Sequence, residues 1–362
     1  MKTRLHYMDI AKAIIVIMMI VYHVLAPCFL RSAICGVVGY VMFAMFFISG
    51  YFHKSGKRSI GQNIKTRFIG VLKPFFIYSI VMFILSSVYY LIAKQESIMD
   101  VLCCLRNFYG GCIWNRTIQD FFGWDYHHLG GTYLFLSPLW FLLTMFFSGV
   151  LFYFIEGFAL KSKLRSIIIA LILAVITGVC VGFNVSLPYN LQTVPVFTSA
   201  ILLGALCGQN SFFENIKINI VLEWVIDIVV LVSIGVYGYF YSQNVQVFRG
   251  IFGDKGAKDV VVYFIFSVLL SLTFCDLCKL IERSKIRIKE LSWVGENSLY
   301  IYMTHVFFGW IISIPMGISL KYNVDGIDTP VMIKSVILTI LTIIVTVLYT
   351  LLRNKIFSKK TK

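Results

Sequence analysis

The chain has 362 residues, of which 59% are hydrophobic and only 14% are Asp, Glu, Lys or Arg. A soluble domain is nearer half apolar and a quarter charged, so the surplus exceeds what one soluble core buries and points to lipid as the solvent. The formal net charge of +15 raises nucleic acid as a partner. The basic residues, however, stand in short runs between apolar segments rather than as a stripe on a soluble domain, which argues against that class.

Ten apolar runs follow in chain order, near 8–27, 33–52, 68–93, 133–155, 166–183, 193–209, 220–241, 260–280, 293–316 and 331–352. Each is long enough to cross a bilayer. The expected fold is therefore all-α: a polytopic membrane helix bundle of about ten transmembrane helices, forming one integral membrane domain over 1–362. The first run has a basic start, and Leu25-Ala26-Pro27-Cys28 faintly resembles a lipoprotein cleavage site. Pro27 is a poor residue there and many spans follow, so the run is expected to stay as an uncleaved first helix.

That first run carries three polar residues that lipid disfavours, Asp9, Lys12 and His23. An ionisable group inside a span costs roughly 2.5–3.5 kcal/mol and usually faces a bundle interior or an aqueous cavity. From Lys12 to His23 is eleven residues, roughly 1100° of helical rotation, or about 20° beyond three full turns. The two side chains share a face, separated by about 16 Å along the axis. Asp9 lies one turn before Lys12 and can pair with it. A snorkelling lysine and a structural histidine explain each residue singly; both on one face, with a carboxylate, favour a lined passage.

The longest loop runs from about 94 to 132 and holds Trp114, Trp124, Tyr126, His127, His128 and the Gly130-Gly131 pair. Aromatic residues there serve either as interfacial anchors or as platforms for a sugar ring. Nine cysteines are scattered along the chain. Cys28, Cys35, Cys103, Cys104 and Cys112 stand by the same-side loops, where a disulfide can form if that side is oxidising. Free thiols in apolar surroundings are the other reading. No metal constellation is expected, because His127 and His128 are adjacent and lack a third ligand at useful spacing.

The ninth run opens Trp293-Val-Gly295-Glu296-Asn297-Ser298-Leu-Tyr300-Ile-Tyr302-Met-Thr304-His305, a dense polar series for an intramembrane helix. If the run is one helix, His305 lies about 18 Å past Trp293, near mid-membrane. Helix packing through small polar groups is the alternative use of such residues. Asp227 in the seventh run and Lys334 in the tenth are weaker candidates near helix ends. The loops on one side, with both tails, hold 21 of the 32 Lys and Arg, including the basic tail 353–362. The opposite loops hold eight, while Lys12, Lys73 and Lys334 fall inside spans. That imbalance places both termini in the cytoplasm.

Four stretches resemble acyltransferase family 3, the bacterial-type integral membrane O-acyltransferases, over nearly the whole chain. They are Asp9-Ile-Ala-Lys12 followed, after ten intervening residues, by His23; Phe46-Phe47-Ile48-Ser49-Gly50-Tyr51; Pro138-Leu139-Trp140-Phe141-Leu142; and Asn297-Ser298-Leu299-Tyr300-Ile301-Tyr302 through His305. One feature departs from the family's pattern. Of its two arginines three apart before the third span, Arg67 fits the first, Gly70 occupies the second, and Lys73 precedes Pro74.

The resemblance implies a multi-pass protein of the cytoplasmic (inner) membrane that moves an acyl group, usually acetyl, from cytoplasmic acetyl-CoA or another acyl-CoA. The acceptor is a hydroxyl of a cell-surface or lipid-linked glycan. No cofactor is permanently bound in that scheme, and acyl-CoA is a substrate. It implies donor contacts at Lys12, Arg67 and Lys73, which suit phosphates. His23 becomes the general base or an acyl carrier. His305 and Tyr302 orient the acyl group, and Asp9, Glu296, Asn297, Ser298 and Trp140 support them. Without the hydrolase-like domain that some relatives append, transfer is expected to finish in the membrane domain or with a separate partner.

Two other classes compete. A proton-coupled secondary transporter would use Asp9, Lys12, His23 and His305 as a relay, but no matched halves are visible. A non-catalytic flippase or scaffold for glycan assembly would not need His23 and His305. Consumption of acetyl-CoA by purified protein separates both from an enzyme. The charge count makes its own prediction: a reporter active only outside the cytoplasm should be silent when fused after Lys362 and active when inserted near Asp120. The reverse pattern inverts the topology.

Overall fold

The computed structural model describes residues 5–26, 29–93, 95, 97–99, 101–102, 139–183, 185, 187–216, 218–244, 257–284, 289–318 and 329–358. Among them every regular element is helical. In chain order these are α1 His6–Val24, α2 Phe29–Tyr51, α3 Ile60–Arg67, a π turn Phe68–Leu72, α4 Lys73–Ala93, α5 Trp140–Ala159 and α6 Lys163–Gly182. A 3₁₀ turn Pro188–Thr193 leads into α7 Val194–Gln209, and another, Phe213–Asn215, precedes α8 Ile220–Asn244. Then come α9 Ala257–Arg283, α10 Lys289–Glu296, α11 Ser298–Met316 and α12 Thr329–Ser358. Nine of these runs are long and apolar enough to cross a membrane, and Val37–Tyr51 of α2 is a shorter apolar helix. The chain is an all-α, polytopic membrane helix bundle.

Two expected spans are not single α-helices. The third begins at Ile60 rather than near 68. Ser59 opens α3 with a reciprocal cap, in which its hydroxyl accepts from the Gln62 amide and the Gln62 side chain accepts from the Ser59 amide. The helix then widens over Phe68–Leu72, where the Lys73 amide reaches back to the Phe68 carbonyl, the five-residue bond of a π turn. Gly70, a poor helix former, sits at its centre. The ninth run breaks at Asn297, whose backbone leaves helical geometry at φ −102°, ψ 11°. Its side-chain amide donates to the Trp293 carbonyl at 2.9 Å, an alternative to the helical ladder that Asn offers readily.

The described helices group into two compact units. The first comprises Met1–Met45, Phe213–Val247 and Phe266–Lys362. In it α1 packs against α10, α11 and α12, and α11 against α12. The α1 window is 61% buried while that of α8 is 17% buried, so α1 is an interior helix and α8 turns most of its surface to lipid. Two glycines set the α1 packing. A Cβ on Gly295 would collide with the Asp9 carbonyl, and one on Gly309 would crowd Val24 at 3.2 Å and Thr342 at 3.5 Å. Thr339, Thr342, Thr346 and Thr350 are buried along α12. Each hydroxyl donates to the carbonyl four residues back, which satisfies it where lipid supplies no partner.

The second unit comprises Phe46–Phe212 and Phe248–Ile265. Here α7 packs on α5 and α6, and the end of α2 lies along α7. Gly204 and Gly208 form a small-xxx-small pair on α7. A side chain there would collide with the carbonyls of Phe47 and Tyr51, and one on Gly50 with that of Ile201. Such glycines let helix backbones approach in a membrane, where van der Waals packing rather than hydrophobicity drives association. Phe46 stacks on Phe197 with centroids 4.3 Å apart and meets Phe141 edge-on at 5.0 Å.

This packing predicts a selective intolerance. Gly204→Val should lower the thermal midpoint in detergent sharply, since overpacking a core costs about 1–3 kcal/mol and here the obstacle is backbone. Gly157→Val faces open space and should leave the midpoint nearly unchanged. Equal midpoints for the two variants would contradict the helix contact.

Candidate functional site

In the first unit α1 and α11 bring two histidines face to face. The rings of His23 and His305 lie 5.4 Å apart, tilted by 40°. They are 282 residues apart in sequence, so the pair exists only through the α1–α11 packing. Tyr302, one turn before His305, has its ring 5.6 Å away, and both residues are buried, His305 completely. His305 Nδ1 is 2.6 Å from the Tyr302 carbonyl. A carbonyl only accepts, so Nδ1 carries the proton, and in the neutral ring Nε2 is an acceptor. That Nε2 is buried and makes no hydrogen bond among the described residues. A buried polar atom without a partner is rare and marks a place for an incoming donor. With Nδ1 committed, neutral His305 is suited to accept from a hydroxyl or an imidazolium rather than to donate to an acyl carbonyl.

Around this pair the expected polar residues fall into different roles. Asp9 and Lys12 form the ion pair their spacing implies, at 2.7 Å, with Asp9 nearly closed to solvent and Lys12 at 22% exposure. Ser298 and Thr304 are buried, and Thr304 donates to the Tyr300 carbonyl at 2.9 Å, so it serves the helix. Asn297 is the elbow between α10 and α11, and its side-chain oxygen accepts from the Asn354 amide at 2.7 Å. Arg353 lies over the Tyr300 ring at 3.3 Å, which pins the end of α12 to the same elbow. Glu296 is exposed at the end of α10, outside the buried polar series to which its sequence position assigns it. Lys334 is also exposed.

Asp227 is buried and belongs to a charged cluster that the sequence does not announce. Glu223 and Asp227 of α8 lie with Asp276 and Lys279 of α9, all four at least nine-tenths buried. Lys279 donates to the Phe213 carbonyl and pairs with Asp276 at 3.3 Å and Glu223 at 3.7 Å, while Arg283 reaches Glu223 at 3.5 Å. Lys279 is thus not a loop charge, as its position at the end of the eighth apolar run implies. A buried charge persists only when paired and hydrogen-bonded, and an Asp three residues before a Lys was the local signal for it.

In the second unit Arg67 lies flat on one face of α5. Its Nε donates to the Met145 carbonyl at 2.9 Å, and its Nη1 reaches Ser49 Oγ at 3.4 Å and the Tyr153 hydroxyl at 3.5 Å. Gly149 makes room, since a Cβ there would coincide with the guanidinium. Nη2 is buried with no hydrogen-bond partner among the described residues. Two of the resembling stretches therefore have physical work beside this arginine. Gly50 and Phe46 pack α2 onto α7, Ser49 touches Arg67, and buried Trp140 stands 6.4 Å from Phe197. Lys73 is exposed at the start of α4. Lys12 belongs to the first unit and Arg67 to the second. Beside Arg67, His53 pairs with Glu156, a contact between distant residues that no spacing announces.

Among the described residues no group of three or more His, Cys, Asp and Glu is arranged to hold a metal ion. Cys180, Cys207, Cys275 and Cys278 are free thiols. The aromatic loop with Trp114, Trp124, Tyr126, His127 and His128, and the side chains of Cys28, Cys35, Cys103, Cys104 and Cys112, lie outside the described residues.

The fold and geometry define a polytopic membrane bundle with a buried histidine pair, and comparison with known proteins supplies the family. A family model described as an acyltransferase domain, that of acyltransferase family 3, matches residues 5–351. The chain belongs to that family and is a multi-pass membrane acyltransferase. No curated protein and no solved structure matches it.

The Arg67 geometry predicts that Gly149→Ala keeps the fold yet lowers acyl transfer at least as much as losing one charged hydrogen bond, about tenfold or more. Gly70→Ala, where a Cβ meets nothing within 4 Å, should change neither. Activity and thermal midpoint of the two variants check this, and a fully active Gly149→Ala protein would detach Arg67 from function.

Proposed function

We propose that the protein is an O-acyltransferase of the cytoplasmic membrane. It moves an acyl group, most simply acetyl, from cytoplasmic acyl-CoA to a hydroxyl of a cell-surface or lipid-linked glycan. The observation that carries the reading is the His23–His305 pair, with the unsatisfied Nε2 of His305, in a chain of an acyltransferase family. His23 takes the proton of the attacking hydroxyl. The hydroxyl oxygen forms the ester bond to the thioester carbonyl carbon, the carbon–sulfur bond breaks, and the proton ends on the departing coenzyme A thiolate.

His305 serves as the acceptor that stabilises the imidazolium formed on His23, much as a carboxylate does in a hydrolase triad. The 5.4 Å centroid separation brings facing ring nitrogens within hydrogen-bond reach after a small ring turn. Lys12 and Arg67 are the candidates for holding the donor's phosphates, with a lesser role for exposed Lys73. Asp9 tethers Lys12. Tyr302 acts through its carbonyl, which fixes the His305 tautomer. A proton-coupled transporter would use the same histidines, but would turn over no acyl-CoA.

Removing a general base costs about 10²–10⁴-fold in rate, so His23→Gln should abolish acylation without loss of expression. His305→Gln keeps an acceptor oxygen and should retain part of the activity that His305→Phe loses. The checks are acetyl-CoA turnover by the purified protein and O-acetyl signals in the surface glycans of cells carrying each variant. Near wild-type turnover in His23→Gln would end the base assignment.

A further inference from the structure

Met145, Gly149, Tyr153 and Glu156 recur along α5 at intervals of four, four and three residues, so they form one stripe on the helix. Arg67 occupies the first three positions. Its guanidinium covers Gly149 and bonds the Met145 carbonyl and the Tyr153 hydroxyl. Glu156 closes the stripe one turn beyond Tyr153. It is also the one Asp or Glu of α5. A carboxylate on the stripe that an arginine covers is its natural partner, yet Glu156 does not take it. His53, two residues past α2, holds Glu156 instead, each side chain only 11% exposed. The His53 ring is wedged 4.9 Å from Phe152 and 5.6 Å from Tyr153, so Tyr153 separates the two pairs while touching both. Arg67 meanwhile satisfies itself on neutral acceptors and keeps Nη2 buried and unused.

We propose that His53 is a positioning residue that engages Glu156 and so keeps it from neutralising Arg67, leaving the guanidinium for the phosphate groups of the acyl donor. The inference rests on the acyl-CoA reading of Arg67. It asks nothing of Glu156 in the chemistry; its role is to be masked. Exposed Lys54, Lys57, Arg58 and Lys65, in the segments flanking His53 and Arg67, give this unit a surface that attracts anions.

A double-mutant cycle on the full-length protein in nanodiscs tests it, with acetyl-CoA as the probe. His53→Ala frees the carboxylate and should weaken acetyl-CoA binding about tenfold, as one uncompensated negative charge near an anion site does. The loss should appear in the donor KM and not in the rate at saturating donor. His53→Ala combined with Glu156→Gln should return the affinity to within about twofold of wild type, since the two residues act through one contact. A packing role for the pair predicts the opposite, a double variant at least as weak as the single. Should His53→Ala fail to accumulate, His53→Leu fills more of the ring's space, cannot hydrogen-bond Glu156, and should show the same loss and rescue. Unchanged binding in the single variant, or no rescue in the double, overturns this inference alone. Failure of the wild-type protein to bind acetyl-CoA overturns the donor reading and this inference with it.

Discussion

Lipid offers no hydrogen bonds, and the organisation of this chain follows from that constraint. Every polar group within the spans must be satisfied by the protein or remain unsatisfied at a cost. The threonines of α12 return their hydroxyls to their own backbone. Lys279 is surrounded by a carbonyl and two carboxylates. Beside these completed partnerships, Nε2 of His305 and Nη2 of Arg67 are among the buried polar atoms that make no hydrogen bond among the described residues.

Glycine makes the rest of the arrangement possible. Helices in lipid gain little from burying apolar surface against one another, so close contact must come from backbone approach. Gly295 brings α10 onto the Asp9 turn of α1, and Gly204, Gly208 and Gly50 bring α2 onto α7. The histidine pair depends on the first of these contacts and Arg67 on the second. The histidine pair and Arg67 are therefore held in place by contacts that glycine makes possible.

Much of this was legible in the sequence because two periodicities survive into the structure. Apolar runs of about twenty residues gave the spans, and an eleven-residue spacing put Lys12 and His23 on one face of α1. The helix break at Asn297 and the π turn at Gly70 were not legible, since an apolar stretch reads the same whether its ladder is continuous or slipped. Nor were the pairings of His53 with Glu156 or of Lys279 with Glu223, which join residues 103 and 56 positions apart. Charge counting treats a lysine near a span end as a loop residue, and only the fold reveals a buried one. His305 was visible as a histidine in the wrong solvent, but its tautomer required the Tyr302 carbonyl to be in place.

The π turn between α3 and α4 has a consequence for what one span can face. A turn of five residues instead of four resets the rotational phase of everything that follows it. The orientation of Arg67 is fixed upstream by α5, while α4 downstream presents Ile77, Ile80, Val81 and Ile84 to the exterior. The five-residue turn at Gly70 thus lets one span present Arg67 to α5 on one side of the turn and an apolar face to lipid on the other.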